Sequence, residues 1–467
     1  MAFPFVFVVF FYVKKFDKPI KKMYFVVEVF MKKLFIFSCA VALSMWGCSS
    51  DDTTPSAVDP TDSSNSATPD NPGNPDNPGE GSSASPQGGT VFYPSNKNVD
   101  GANAFYNGWM TNFYVSFSEE VAPADEVYYS DSKLPLLRQS ARIKFDQPSY
   151  TVSEGIGYGM LVAAFQGDKA RYDALMNYYL AFRYSPDAGD YYMMWKITGF
   201  KTGLGSSATD ADLDIAASLL VAHEKWGAPN GDNTYLQHAI EEGSSIMGKE
   251  VNATTHLVVP ANDGAILSTG AVYNISYFSL VAFKLLSIYD TDRSAQWNQT
   301  LEASIEYMKK VQDAGNGLWP DWSDVDGNPK DPQNGSSTGK LCDHWGLEGV
   351  RIPWRLVWYY AWFGDDRVKA MIQKAAEFAV GITGGDINMT LNRYKYQGEV
   401  QTSGVGGGSA AYKGAFCALG MIDSKYADFL ASCNDNLLNT PLASGTNYFA
   451  PSIQLLYLQL LNGNMSR

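Results

Sequence analysis

Four stretches of this 467-residue chain put acidic residues where they could exchange protons. The first is Ser153-Glu154-Gly155-Ile156-Gly157-Tyr158-Gly159-Met160, between the extended run Tyr150-Thr151-Val152 and an apolar run, Leu161 to Phe165. The second is Thr209-Asp210-Ala211-Asp212-Leu213-Asp214, in which Asp210 and Asp214 are four apart and share a helix face. The third is Trp319-Pro320-Asp321-Trp322, and the fourth runs from Glu348 through Arg351 into Pro353-Trp354-Arg355. Two carboxyl groups, one kept protonated and one ionised, are the usual equipment of general acid–base catalysis. Ser153 and Thr209 are good N-caps, which would put Glu154 and Asp210 in first helical turns. A positive helix end by itself accounts for a lone Glu154 or for Asp212. It does not account for three acids in one turn, where repulsion grows. Three glycines in five residues each cost a helix about 1 kcal/mol, so another backbone or a bulky ligand is expected to come close.

These groups need a scaffold, and the scaffold reads as helical. From about Tyr93, apolar residues recur at three- and four-residue spacing in twelve runs. The runs are 98–115, 153–165, 168–182, 210–226, 232–247, 274–289, 294–311, 349–363, 365–380, 409–419, 423–432 and 447–461. Alternating β-branched runs are few and short. Helices paired in sequence without a parallel-strand pattern argue for an all-α domain. Twelve helices make six hairpins, which suggests a toroid of inner and outer helices; a solenoid would need a fixed repeat, and none is visible. The connections 116–150, 183–209, 248–273 and 312–348 are far longer than hairpins require, and long loops in a compact domain are usually functional. They are rich in Gly, Asp, Tyr and Trp.

Composition narrows the function. The net charge is −14, which argues against nucleic acid as a partner. Aromatics make up 14%, with 11 Trp and 28 Tyr, enough for a thick core or a surface that stacks on flat ligands. The four His are scattered without metal-ligand spacing, so neither metal nor other cofactor is expected. Asp324-Val325-Asp326-Gly327 resembles a calcium loop, but its ligand register fails and it reads as a polar turn.

The N-terminus reads as targeting. Met31-Lys32-Lys33, the apolar Leu34 to Met45 and then Gly47-Cys48 form a charged region, a short apolar region and a small residue before Cys. The pattern is similar to a bacterial lipoprotein signal, with Cys48 as the lipidated residue. Residues 1–30 precede that signal and read as a spurious extension with Met31 as the true start; the alternative is a genuine extra apolar segment. Residues 49–90 are rich in Pro, Asp, Ser and Asn, cannot bury enough apolar surface to order themselves, and read as a tether. The expected protein is exported, as an outer-membrane or surface lipoprotein or a secreted form, and monomeric, with residues 91–467 as its folded domain. Cys342, Cys417 and Cys433 allow one disulfide at most, and spacing does not choose it.

Four motifs taken together resemble glycoside hydrolase family 8: Val-Ser-Glu-Gly-Ile-Gly-Tyr-Gly-Met around Glu154, Ala-Thr-Asp-Ala-Asp-Leu-Asp-Ile-Ala around Asp210, Trp-Pro-Asp-Trp, and Arg-Ile-Pro-Trp-Arg ahead of Trp-Phe-Gly-Asp. They occur in the family's order and span nearly all of the folded part. The resemblance implies an (α/α)6 barrel and inverting, endo-acting hydrolysis of β-1,4-linked glycans, chiefly cellulose, mixed-linkage glucan, xylan or chitosan. It makes Glu154 the general acid, Asp210 the carboxylate at the sugar being cleaved, and Trp195 a sugar-stacking aromatic. Tyr158, Asp321, Trp322 and Arg351 complete the expected substrate-binding set.

This sequence departs from the family at two places. The family's cellulases carry an Asp as general base where Glu348 stands. Either the longer Glu serves, or the base lies elsewhere, with Asp343 and Asp321 as the other candidates. Leu267 stands roughly where cellulases place a stacking Trp, which weakens the choice of cellulose and makes xylan the runner-up. Inversion requires the acid and the base to stand ~6.5–9.5 Å apart, with water between them. A rival of another class is a surface glycan-binding lipoprotein without catalysis, which predicts aromatic stacking without converging acids.

Overall fold

The structure is a computed structural model that describes residues 88–332, 342–397, 407–442 and 448–467. The expected signal, Cys48 and the tether up to residue 87 lie outside the described residues. All twelve expected helices are present. They are α1 (Val99–Phe113), α2 (Ser153–Gln166), α3 (Lys169–Ala181), α4 (Thr209–Ala222), α5 (Thr234–Lys249), α6 (Leu280–Tyr289), α7 (Ser294–Ala314), α8 (Ile352–Phe363), α9 (Asp366–Thr383), α10 (Ala410–Gly420), α11 (Ala427–Asn439) and α12 (Phe449–Leu461).

The even-numbered helices form a closed inner ring: α2 packs on α4, α4 on α6, α6 on α8, α8 on α10, α10 on α12, and α12 on α2. The odd-numbered helices lie outside it, α3 on α2, α5 on α4, α7 on α6, α9 on α8 and α10, α11 on α10, and α1 on α12. This is the (α/α)6 barrel. Sequence dictates the layering, because a helix that is apolar all round must be buried and an amphipathic one can face water. All fourteen residues of α4 are buried. In α5 the buried positions Tyr235, Ala239, Glu242, Gly243 and Ile246 form one stripe. Gly157 explains part of the glycine cost in α2: a Cβ there would stand 3.0 Å from Asp214 Cβ and 3.2 Å from the Ala211 carbonyl, so glycine lets α2 and α4 pack this closely without either giving way.

Helix ends differ from expectation where local hydrogen bonds compete. Val152 holds the N-cap position of α2 and Ala208 that of α4, and neither Ser153 nor Thr209 makes a cap bond. The Ser153 N–H instead donates to the Trp195 carbonyl at 2.8 Å. The start of α6 slips to Leu280 because the Asn274 side chain accepts the Ser276 N–H and turns Ile275–Tyr277 into a 3-10 helix. The α11 helix runs on to Asn439. Gly167, Gly364 and Gly384, all left-handed, end α2, α8 and α9.

Each long connection leads into the start of an inner helix. These loops hold small antiparallel pairings that the sequence did not announce: Tyr114–Ser116 with Ala141–Ile143, Tyr150–Val152 with Lys196–Thr198, Arg183–Ser185 with Asp190–Met193, and His344–Trp345 with Tyr394–Lys395. The last pairing ties the loop before α8 to the loop before α10. Cys417 and Cys433 form a disulfide between α10 and α11, and Cys342 is free.

Candidate active site

Inner-helix starts converge on one guanidinium. Arg351, in the 3-10 turn just before α8, donates from Nη1 to Glu154 Oε2 at 2.8 Å and to Asp210 Oδ2 at 2.6 Å. Its Nη2 donates to Glu348 Oε2, which also accepts from Asn274 Nδ2 at 2.7 Å. Glu154 comes from the first turn of α2, Asp210 from that of α4, and Asn274 from the turn before α6. The Tyr277 ring lies against the guanidinium, 5.1 Å from centroid to Cζ. Tyr448, just before α12, faces Glu154. Five of the six inner helices therefore contribute at the same end of the barrel.

Exposure divides the roles. Arg351 and Asp210 side chains are each 4% exposed and form the floor, whereas Glu154 and Glu348 are 16% and 26% exposed and reach the opening. Burial pushes the Glu154 carboxyl up to about 8; Arg351 opposes the rise, and the charges of Asp210 and Glu348 add to it. Glu154 is thus set to carry a proton at neutral pH, despite its place at a positive helix end. One turn further down, Arg355 makes a two-pronged pair with Asp214, with Nη2 to Oδ2 at 2.8 Å. Asp210 and Asp214 on α4 face Arg351 and Arg355 as two parallel rungs across the barrel interior.

The remaining expected residues fall around this centre. Tyr158 is buried beneath Glu154, its hydroxyl 3.4 Å from Oε2, so it meets the carboxylate and not the opening. Trp195 is half-buried and its carbonyl receives the first N–H of α2. Trp322 is half-buried, 6.3 Å from the Tyr277 ring. Asp321 lies behind the loop that carries Glu348 and accepts from the Gly346 and Gly349 N–H groups. Asp343 is half exposed and its carboxylate contacts His344 Nδ1 at 2.6 Å. Among the described residues no group of three or more His, Cys, Asp or Glu could hold a metal ion. Asp324 accepts from the Asp326 and Asn328 N–H groups, as a polar turn does.

Sequence reasoning missed Asn274, Tyr277 and Tyr448. Their common signal is position: each sits just before or at the start of an inner helix. It also missed the partners of Asp212, which it left to the positive helix end alone. Asp212 points away from the cleft and faces Glu242 and Glu250 of α5 and its terminus, all three fully buried. Burial first, then the neighbouring carboxylates, holds Asp212 well above the usual range.

A family model described as glycosyl hydrolases family 8 matches residues 104–463. Endoglucanase 2 of Ruminiclostridium josui is 31% identical over 232 residues, 49% of this chain and 46% of that protein. The chain therefore spans about half the length of that relative. The reducing end xylose-releasing exo-oligoxylanase of Halalkalibacterium halodurans is 25% identical over 333 residues, 67% of this chain and 79% of that protein. The apo structure of a beta-1,3-1,4-glucanase from Paenibacillus sp. X4 superimposes with a TM-score of 0.67 at 22% identity, covering 81% of this chain and 97% of that one, and shares the fold.

Proposed function

The chain belongs to glycosyl hydrolases family 8, and from that premise we propose that it is an inverting, endo-acting hydrolase of a β-1,4-linked plant polysaccharide, most readily β-glucan or cellulose. One observation carries the proposal: Glu154, whose carboxyl burial pushes up to about 8, and the half-buried Glu348 share Arg351 at the mouth of the barrel. Glu154 gives its proton to the leaving glycosidic oxygen. Glu348 takes a proton from the water that attacks the anomeric carbon from the other face. Asp210, fixed beside both by Arg351, faces the positive charge that develops on the sugar ring. Converging acids speak against a glycan-binding protein without catalysis, which needs none. Trp195 and Trp322 supply half-buried aromatic surface near the acids for sugar rings.

A second substrate, xylan, is favoured by Leu267. It is half-buried in the short helix Gly264–Thr269 and its carbonyl accepts from Asn252 Nδ2 at 2.5 Å, so it offers no flat ring for a glucose unit. Reducing-end release on carboxymethylcellulose, mixed-linkage β-glucan, xylan and chitosan separates these readings. Glucans are expected to be cleaved fastest; a clear preference for xylan would establish the second reading. Proton NMR in the first minutes should show the α-anomer appearing first, and initial β-anomer would overturn the inverting mechanism.

Export and anchoring through Cys48 complete the proposal. The signal-like run 31–48 and the Cys417–Cys433 disulfide, which suits an oxidising compartment, support it. A Cys48→Ser variant should leave the membrane fraction and appear as a soluble exported form.

A further inference from the structure

Glu154 and Asp210 stand on first helical turns and are placed by α2 and α4. Glu348 is different: it ends a long loop, and its position needs a brace from outside its own helix. Its carboxylate is fixed by Asn274 and Arg351, and the Arg351 N–H also donates to its carbonyl at 3.0 Å, but that bond lies within the turn and does not tie the loop to the rest of the barrel.

The backbone brace is the Trp-Pro-Asp-Trp motif. The Asp321 N–H donates to the His344 carbonyl at 2.7 Å. Asp321 Oδ1 accepts from the Gly346 N–H at 2.7 Å and from the Gly349 N–H at 2.8 Å. These three bonds bracket residues 344–349, with Glu348 inside. The loop sits so tightly on the carboxylate that a Cβ at Gly346 would stand 2.6 Å from Asp321 Oδ2. Burial and the facing charge of Glu348 push the Asp321 carboxyl up to about 7, while its two backbone bonds and Arg393 oppose the rise. Cys342 also faces it.

We infer that Asp321 is a positioning residue for the general base: it holds the backbone of the Glu348 loop so that the Glu348 carboxylate reaches the attacking water. The inference rests on Glu348 being the base.

The test uses Asp321→Ala and Asp321→Asn in the full chain, with Glu348→Ala alongside. A misplacement of about 1 Å costs on the order of 100-fold. Asp321→Ala should therefore lower kcat by about that factor with KM within about three-fold of the parent. Asp321→Asn, whose amide oxygen can still accept both N–H groups, should recover to within about ten-fold of the parent. Added azide should raise turnover of Asp321→Ala and Glu348→Ala alike. The anion bonds to the anomeric carbon, the glycosidic C–O bond breaks, and Glu154 protonates the departing oxygen, leaving an α-glycosyl azide for mass spectrometry. A folded Asp321→Ala with parental kcat would overturn the inference, as would raised KM with unchanged kcat, which would mean sugar binding. An Asp321→Asn as inactive as the alanine variant would also overturn it, pointing to carboxylate chemistry at Asp321 itself. If Glu348→Ala keeps parental kcat, the reading of Glu348 as base fails, whatever the Asp321 variants do.

Discussion

Two groups of acids meet at one helix, α4, and they have opposite characters. Asp210 joins Glu154 and Glu348 on the Arg351 guanidinium at the mouth of the barrel. Asp212, two residues on, joins Glu242 and Glu250 behind α4, where Tyr179 donates to Glu242 at 2.7 Å and the Met193 N–H to Asp212 at 3.2 Å. Arg183 is near enough to favour the charged form of Glu242, yet burial still pushes that carboxyl up to about 8 and Glu250 up to about 7. The cleft group has a cation bonded to every member, and burial pushes Glu154 up to about 8. Among the described residues no cation bonds to the rear group, and burial raises all three of its carboxyls. Neighbouring carboxyls are therefore not by themselves a catalytic site; the bonded cation and the opening to solvent distinguish them.

The strongest break of this contrast is at Glu154. Glu154→Gln keeps the shape but cannot deliver a proton, so turnover on a polysaccharide should fall about 10²–10⁴-fold with glycan binding retained. In the parent enzyme, kcat/KM should fall as pH rises through about 8, where Glu154 loses its proton. Steady-state kinetics from pH 5 to 9.5 checks both; more than a few per cent residual activity in the variant would remove Glu154 from the acid role.

Arg351→Met asks whether the cation alone makes the two groups differ. Removing one partner of a buried ion pair costs about 3–5 kcal/mol. The acids left behind can take up protons, so the loss measured by urea unfolding should be smaller at pH 5 than at pH 8. An equal loss at both pH values would mean that the guanidinium packs rather than neutralises.

The smallest effect belongs to the rear group. The folded-state values of Glu242 and Glu250 lie above the ordinary 4.5 of Glu, so the folded chain binds more protons than the unfolded one between them. That stability is full below about 4.5 and is lost as pH rises through about 7 and then 8. Glu250→Gln cannot ionise. Its melting temperature should therefore drop less between pH 5 and 8.5 than the parent's, by about 1–3 °C, with the pH profile of kcat/KM unchanged. A changed profile would show that the rear group is coupled to the cleft.

What the sequence determined by itself is local. Runs of helical length marked all twelve helices: an inner-ring helix is apolar nearly all round, and an outer one buries a single face. Motif spacing put Glu154 and Asp210 in first turns, and Asp214 on the face of Asp210, because residues four apart on a helix are neighbours. The parting of Asp210 from Asp212 was half legible, since residues two apart do not share a face. Their partners were not: Arg351 lies 141 residues from Asp210, and Glu250 lies across a helix hairpin from Asp212. Closure of the ring brings them together, and no local preference records it. The sequence put Glu348 ahead of Asp343 and Asp321 by its place in the motif, but not by any contact. The tertiary structure supplies the contacts: it rests Glu348 on Arg351, leaves Asp343 half exposed beside His344, and folds the Glu348 loop onto Asp321.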